Sequence, residues 1–458
     1  MRLGMRNGLR RWSRLLLVSA ALSGGAGPAV SESLVDAMVA AYTGNPALKA
    51  ERARQRGTDE LVPQALSGWR PTVSAEGSVS RVWSDSSGSS ATAVTPRSVS
   101  IGLSQPVFRG FKTINGTKSA EASVEAGRQG LLAIEQDTLF KAIQAYMNVI
   151  RDRQVVSLRQ KNVEVLKKQL TAAEERFKVG EITRTDVAQS RARVSGARSN
   201  LASAKAGLAA SVAGYLSVVG HAPGSLKYPA LAKLPPSLDA AQAAAEEINP
   251  NILAAAYVEE AATYDTEVKK GDLLPLLELQ ASAVHNEDPV SGTSWSESAR
   301  IEGVLTIPLY EAGKVYSSVR QAKQVASQRR LEVIQAGRSV RESVATAWGN
   351  LSAAREIIRS AKEQVAAAEL ALDGVNQEYL VGSRTTLDVL DAESEVFAAR
   401  ISLVSAERDQ IVAAYQILGA IGRLTARDLS LPVAHYDADE NYLKVRGKWL
   451  GTGADTIE

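Results

Sequence analysis

Residues 176–190 read RFKVGEITRTDVAQS, and residues 378–392 read EYLVGSRTTLDVLDA. The two stretches lie 202 residues apart and keep three residue types in step: Gly180 with Gly382, Thr183 with Thr385, and Asp186 with Asp388. Glycine tolerates the left-handed backbone that ends a helix. Thr-x-x-Asp is a capping-box variant in which Asp replaces the usual Glu or Gln. Helix, Gly stop, short turn, Thr cap and helix together predict a tight antiparallel helical hairpin, written twice. Turn chemistry alone accounts for the Gly, the Thr and the first Asp of each copy.

The duplication extends outward from these tips. Each half has an Asn-Pro beside a helix, Asn45-Pro46 and Asn249-Pro250, and a Pro opening an extended stretch, Pro71 and Pro275. Before the tips, Val156, Val163, Leu170 and Phe177 recur every seven residues; Ile358, Val365, Leu372 and Tyr379 repeat them 202 residues later. After the tips, Val187, Val194, Leu201, Leu208 and Tyr215 are matched by Val389, Val396, Leu403, Gln410 and Ile417. A small-residue seam runs beside them through Ala197 and Ala204, and through Ala392, Ala399, Ala406 and Ala413. One such stripe would suit an ordinary core face; stripes in step across a duplication predict supercoiled helices. Residues 113–178 and 313–378 contain no Pro, so each can form a helix about 100 Å long. The following segments, 184–219 and 386–421, are about half as long. Residues 32–68 and 240–273 supply the missing halves, stacked end to end along each long helix.

The stretches between helices alternate. Val99, Ile101 and Leu103 oppose Ser98, Ser100, Gly102 and Ser104; Ile301, Leu305 and Ile307 oppose Arg300, Glu302 and Thr306. Strands are expected at about 70–83, 98–108, 275–286 and 295–309, with Trp69, Trp83 and Trp295 at their ends. Apolar-out strands with aromatic ends suit a membrane barrel. The connections 84–96 and 286–294 read as polar loops. Four strands cannot close a barrel, for which about eight are needed, and open edges are not tolerated in lipid. Several chains are therefore expected to share one barrel, and a cyclic trimer gives twelve strands.

Composition agrees. The 458-residue chain is 45% hydrophobic but only 5% aromatic, as expected of packed long helices rather than a compact core. Residues 1–31 read as a signal peptide: five arginines, a short apolar run from Leu15 to Leu22, and a cleavage site after Ser31. Removing those five arginines takes the formal charge from +3 to −2, which argues against nucleic acid as a partner. The chain has no Cys, so disulfides, thiolate metal sites and a Cys-linked lipid anchor are excluded. No other segment reads as a transmembrane helix. The organisation is a signal peptide (1–31), repeat 1 (32–220, tip about 179–185), a Pro-rich linker (221–239), repeat 2 (240–426, tip about 381–386) and a C-terminal tail (427–458). His221, His285 and His435 lie in separate regions, and no phosphate-binding GxxxxGK[ST] loop occurs. Neither an enzyme nor a metal or cofactor site is indicated.

On "RFKVGEITRTDVAQSRARV" and "EYLVGSRTTLDVLDAESEV", the chain resembles the TolC family of outer-membrane efflux and secretion channels. The likeness covers about residues 32–425. It implies a mainly α fold with a trimeric 12-strand β-barrel in the outer membrane and a long periplasmic α-helical barrel. It also implies a passive exit duct without a lipid tether, of the type I secretion branch or of a tripartite efflux pump, whose partners are a periplasmic adaptor and an inner-membrane ABC or RND-type transporter. By the same resemblance, Tyr379 bonds Asp186 and Arg384 bonds Thr185 to close the tips. Asp388 and Asp391 line the entrance, while Leu387 and Ser383 depart from the family's charged neighbours. Three residues apart on a helix, Asp388 and Asp391 share a face. Threefold symmetry would gather six carboxylates, favouring cations and raising one another's pKa. The rival reading is a periplasmic coiled-coil adaptor without a pore; two hairpins and four membrane-type strands per chain argue against it.

Overall fold

The computed structural model describes residues 31–287 and 294–454. Residues 1–30 of the expected signal peptide (1–31) and most of the second polar connection (288–293) lie outside the described residues. The first repeat runs β1 (Ser31–Glu32), α1 (Leu34–Gly44), α2 (Pro46–Asp59), α3 (Leu61–Leu66), β2 (Thr72–Val79), β3 (Val82–Ser86), β4 (Ser89–Val94), β5 (Arg97–Arg109), α4 (Lys112–Lys178) and α5 (Arg184–Val219). After β6 (Ser225–Leu226), the second repeat runs α6 (Leu238–Ile248), α7 (Pro250–Gly271), β7 (Leu276–Glu287), β8 (Trp295–Thr306), α8 (Lys314–Leu380) and α9 (Thr386–Ile421). A last helix, α10, spans Ala438–Arg446.

The two long helices have 67 residues each, about 100 Å at 1.5 Å per residue. Along α8 the inward side chains Val340, Val344, Ala347, Leu351, Ala354 and Ala361 are buried at the alternating three- and four-residue spacing of a coiled-coil seam. The Asn-Pro pairs join the half-length helices. Asn45 Oδ1 accepts from Ala47 N–H at the start of α2, and its amide donates to Val218 O at the end of α5 (3.0 Å). Asn249 does the same at the start of α7, donating to Ala420 O of α9 (2.7 Å). One side chain thus caps one helix and satisfies the orphan carbonyls of another. This stacks α2 on α5 and α7 on α9.

Four of the strands form an antiparallel sheet in the order β2-β5-β7-β8, so β2 and β8 are open edges. Paired residues place apolar side chains in rows on one face: Val73, Leu103, Ala281 and Ile301, then Ala75, Ile101, Ala283 and Ala299. The other face carries Ser74, Gly102, Ser282 and Arg300, then Thr72, Ser104, Gln280 and Glu302. Ile301 is 78% exposed on the apolar face, which is costly in water and suited to lipid. A bulge at Pro106–Phe108 falls where proline removes a ladder N–H. Strand turns to helix at Gly110-Phe111 and again 202 residues later at Ala312-Gly313, all four with positive φ.

Two expectations are corrected, and one region left open by the sequence is filled in. Connection 84–96 is not an irregular loop: β3 and β4 pair as an antiparallel ribbon beyond β2 and β5. Its Ser, Thr and Gly content concealed the alternation. Helix α5 is long and apolar enough by composition to cross a bilayer, contrary to the reading that no other segment is. Its Ala-rich second half carries few charges, yet it packs along α4 and begins at an arginine-bearing tip. The tail, for which no motif was found, is folded: Leu431 enters the main core, Leu429, Val433 and Tyr436 pack against it, and α10 packs on α2 and α3.

The largest core gathers mid-length on α4, where α1, α5, α9 and the tail converge. Tyr146 donates to Glu32 O (2.9 Å) and lies 2.7 Å from Lys227 O, and burial pushes its pKa up to about 12. Gln136 donates to Gly422 O (2.8 Å). Buried Glu135 accepts from Ala426 N–H (2.7 Å), and burial raises its carboxyl above the usual range. A raised acid pKa means the folded chain holds the proton more tightly than the unfolded chain. The associated stability is full below the ordinary value of 4.5 and is lost as pH rises through the folded value. Glu135→Gln keeps the acceptor and removes the titration. Its thermal midpoint is expected to vary less than wild type's as pH rises above about 4.5, followed by circular dichroism in detergent.

Candidate functional site

Both hairpin tips use the same local chemistry. Gly180 has φ of +81° and Gly382 of +79°. Glu181 N–H returns to Arg176 O (3.0 Å), and Ser383 N–H to Glu378 O (2.9 Å), closing each helix with a Schellman turn. Asp186 N–H donates to Thr183 Oγ1 (3.3 Å) while Thr183 N–H donates to Asp186 Oδ2 (2.9 Å). Thr385 and Asp388 repeat the arrangement at the same distances, 3.3 and 2.9 Å. The backbone N–H and hydroxyl of Thr385 hold the Asp388 carboxyl below the ordinary carboxylate range. Within one chain this opposes the upward shift expected of a carboxylate ring.

The side chains assigned to closure are paired differently within the single chain. Tyr379 is half-buried; its hydroxyl lies 3.4 Å from Thr386 Oγ1, and the Arg176 guanidinium sits 4.8 Å above its ring. Arg384 Nε donates to Glu378 (2.7 Å). Asp186 is occupied by the Thr183 cap, and Thr185 is exposed. Among the described residues no bond joins Tyr379 to Asp186 or Arg384 to Thr185. One contact that does join the hairpins here, Arg176 on Tyr379, is a cation–π contact from α4 to α8.

Asp388 and Asp391 share the first turns of α9, but their surroundings differ. Asp391 is paired across the hairpins with Arg193 of α5 (2.5 Å). Beside it, Leu390 is 1% exposed and fills a seam formed by Val163, Leu166, Val194 and Ala197. These positions are informative in the repeat. Arg176 is answered by Glu378, and Arg193 by Glu395. In hairpin 1, Arg176 bonds Glu181 (2.9 Å); in hairpin 2, Glu378 bonds Arg384. The tip bridge is kept with its polarity reversed. Arg176, Glu378, Arg193 and Leu390 were not singled out from sequence, although opposite charges at matched repeat positions were visible there.

A pair of long hairpins continuous with an open, lipid-faced sheet is a specific architecture. The family model described as outer membrane efflux protein matches residues 38–221 and 241–423, one segment per repeat. The chain belongs to that family. It is 41% identical over 440 residues to the outer membrane efflux protein BepC of Brucella suis, covering 95% of each chain. It is 27% identical to the outer membrane protein TolC of Escherichia coli, covering 90% of this chain and 87% of that one. Its fold is similar to the Campylobacter jejuni CmeC outer membrane channel, with a TM-score of 0.77 at 15% identity, covering 90% and 89% of the two chains. The protein is accordingly an outer-membrane exit duct of the TolC family. The pore-less adaptor reading falls with that membership.

The shared cap gives a test of what holds the tips. Thr183→Ala and Thr385→Ala each remove a side-chain acceptor and should cost about 1 kcal/mol locally. Amide exchange is expected to accelerate in the first turn of α5 or α9 while mid-length protection on α4 stays unchanged.

Proposed function

We propose that three copies of the chain close one 12-strand barrel and that the helical tips form its periplasmic gate. The observation that carries this reading is the four-stranded sheet with two unpaired edges, continuous with paired hairpins about 100 Å long. In lipid those edges must find partners, and the β2 edge of one copy can meet the β8 edge of the next. Two hairpins per chain then surround the axis as six nearly equivalent units. The duct does no chemistry and couples no energy itself. A periplasmic adaptor and an inner-membrane transporter of ABC or RND type supply drive and cargo choice. Small toxic compounds, proteins or both are exported, in a type I secretion system or a tripartite efflux pump. The likeness to the outer membrane efflux protein BepC of Brucella suis and to the outer membrane protein TolC of Escherichia coli supports this assignment.

In this reading Tyr379, Arg384, Asp186 and Thr185 belong to the gate, and Asp388 and Asp391 face the constriction. The single-chain pairings refine it. Each gate contact lies at an exposed or half-buried tip, where an ion pair is worth at most about 1 kcal/mol. Such contacts can be released by a docking partner. Arg193 pairs with Asp391 within the single chain, so the charge offered to passing ions depends on whether that bridge is made.

Two measurements in planar bilayers test the reading. Tyr379→Phe combined with Arg384→Ser loosens the tips, and single-channel conductance is expected to rise severalfold; wild-type conductance would falsify the gate assignment. Neutralising both Asp388 and Asp391 to Asn is expected to weaken cation preference, read as the reversal potential in a salt gradient. Arg193→Gln should strengthen it by freeing Asp391. An unchanged reversal potential in both variants removes these carboxylates from the conducting path while leaving the conductance result to judge the gate.

A further inference from the structure

The tail after α10 has no part in the gate, yet it is held in a definite place. Asp439, near the start of α10, pairs with Arg128 of α4 (2.5 Å), and Arg446 at its end pairs with Glu121 (3.0 Å). Moving along α10 therefore means moving back along α4 towards its first residue, Lys112, where the sheet begins. The next residues reach the foot of the strands. Arg70 Nη1 donates to Lys448 O (2.8 Å), and its guanidinium lies 4.8 Å from the Trp449 ring centroid. Arg70 is two residues before β2 opens at Thr72. Lys448 Nζ then donates to Gly453 O (2.7 Å), and Gly451 takes φ of +99°, so residues 448–453 form a closed turn rather than a trailing end.

That turn presents apolar groups to the outside. Trp449 is 63% exposed and Leu450 90% exposed. Leu443, on α10, is 70% exposed. Fixing a Trp-Leu pair in water on an ordered turn is unfavourable. The same pair is favourable at a lipid headgroup layer, where an amphipathic indole is at home and neighbouring Lys and Arg side chains meet phosphates. The location is set by the sheet: the apolar faces of β2, β5, β7 and β8 mark the bilayer, and Arg70 ties Trp449 to its periplasmic boundary.

We propose that Trp449 and Leu450 are a second membrane contact, seated in the phospholipid headgroup layer on the periplasmic side of the outer membrane. The contact would fix the height of the helical section against the barrel in a chain that has no Cys to carry a lipid anchor.

The test uses the full-length protein reconstituted in phosphatidylethanolamine–phosphatidylglycerol vesicles, with and without acyl-brominated lipid. The chain has six Trp, so Trp449 is read as the wild-type emission minus that of Trp449→Phe. A blue-shifted component quenched most strongly by bromine near the headgroups is expected. Leu450→Asp should abolish that quenching while leaving the heat-modifiable oligomer and its conductance intact. An unquenched component overturns the proposal in either form: blue-shifted, because another copy of the chain covers Trp449, or red-shifted, because water does.

Discussion

Backbone groups in hydrocarbon have no water to turn to, and that constraint organises the molecule. Each chain contributes four paired strands and leaves β2 and β8 unsatisfied at the edges. An isolated chain with a largely apolar outer face, interrupted at one end by the His285–Glu297 pair, and two open edges is not a stable membrane object; in the proposed ring those edges are used between copies. Once copies are arranged in a ring, each strand pair must lead into helices that also fit the ring. The positive-φ pairs at Gly110-Phe111 and Ala312-Gly313 make that turn in both repeats. At the first, a Cβ on Gly110 would come within 2.3 Å of Gly271 O, so glycine is required where β5 gives way to α4 and α7 ends. The coiled-coil spacing of the long helices follows from the same demand for a regular wall.

Duplication supplies the regularity, and divergence supplies the asymmetry. Cap residues are constant because both tips make the same turn. Charged residues are not: Arg176 becomes Glu378, Gln189 becomes Asp391, and Arg193 becomes Glu395. The second hairpin therefore gains a carboxylate, Asp391, where the first carries the neutral Gln189, and Asp391 meets the guanidinium of Arg193 across the hairpins. Six identical hairpins would repeat any such contact at every interface around a ring. Two unlike hairpins can be latched to each other within every chain.

What could be read from sequence was whatever is local or periodic. The Gly–Thr–Asp tips, the seven-residue stripes and the Asn-Pro junctions all rest on spacings within a few turns of helix. The function of the Asn could not be read, because its amide reaches Val218 or Ala420, over 170 residues away. The β3–β4 ribbon was hidden because Ser, Thr and Gly are common to loops and to solvent-exposed strands alike. Helix α5 misled in the other direction: alanine raises hydropathy without bulk, so composition cannot separate a bilayer span from a closely packed helical pair. The inter-hairpin contacts of Tyr379, Leu390 and Asp391 depend on how two hairpins lie side by side, which no local pattern encodes.

The distribution of packing bears on how such a duct could open. Large buried side chains, among them Leu139, Ile143 and Tyr146 of α4 and Tyr215 of α5, concentrate around the middle of α4 together with the hydrogen-bonded Gln136 and Glu135. Towards the tips the buried clusters dwindle to one small seam of Val163, Leu166, Val194, Ala197 and Leu390, with Ala173 and Val389 also buried near it. Beyond these come exposed ion pairs, each worth little in water. Local stability follows buried contacts, so the tips are the part of the wall that can part at low cost while the middle holds. An aperture needs this gradient. A tip as well packed as the mid-length core would resist any docking partner, and a middle as loosely packed as the tip would let the whole wall unravel when the tip moved.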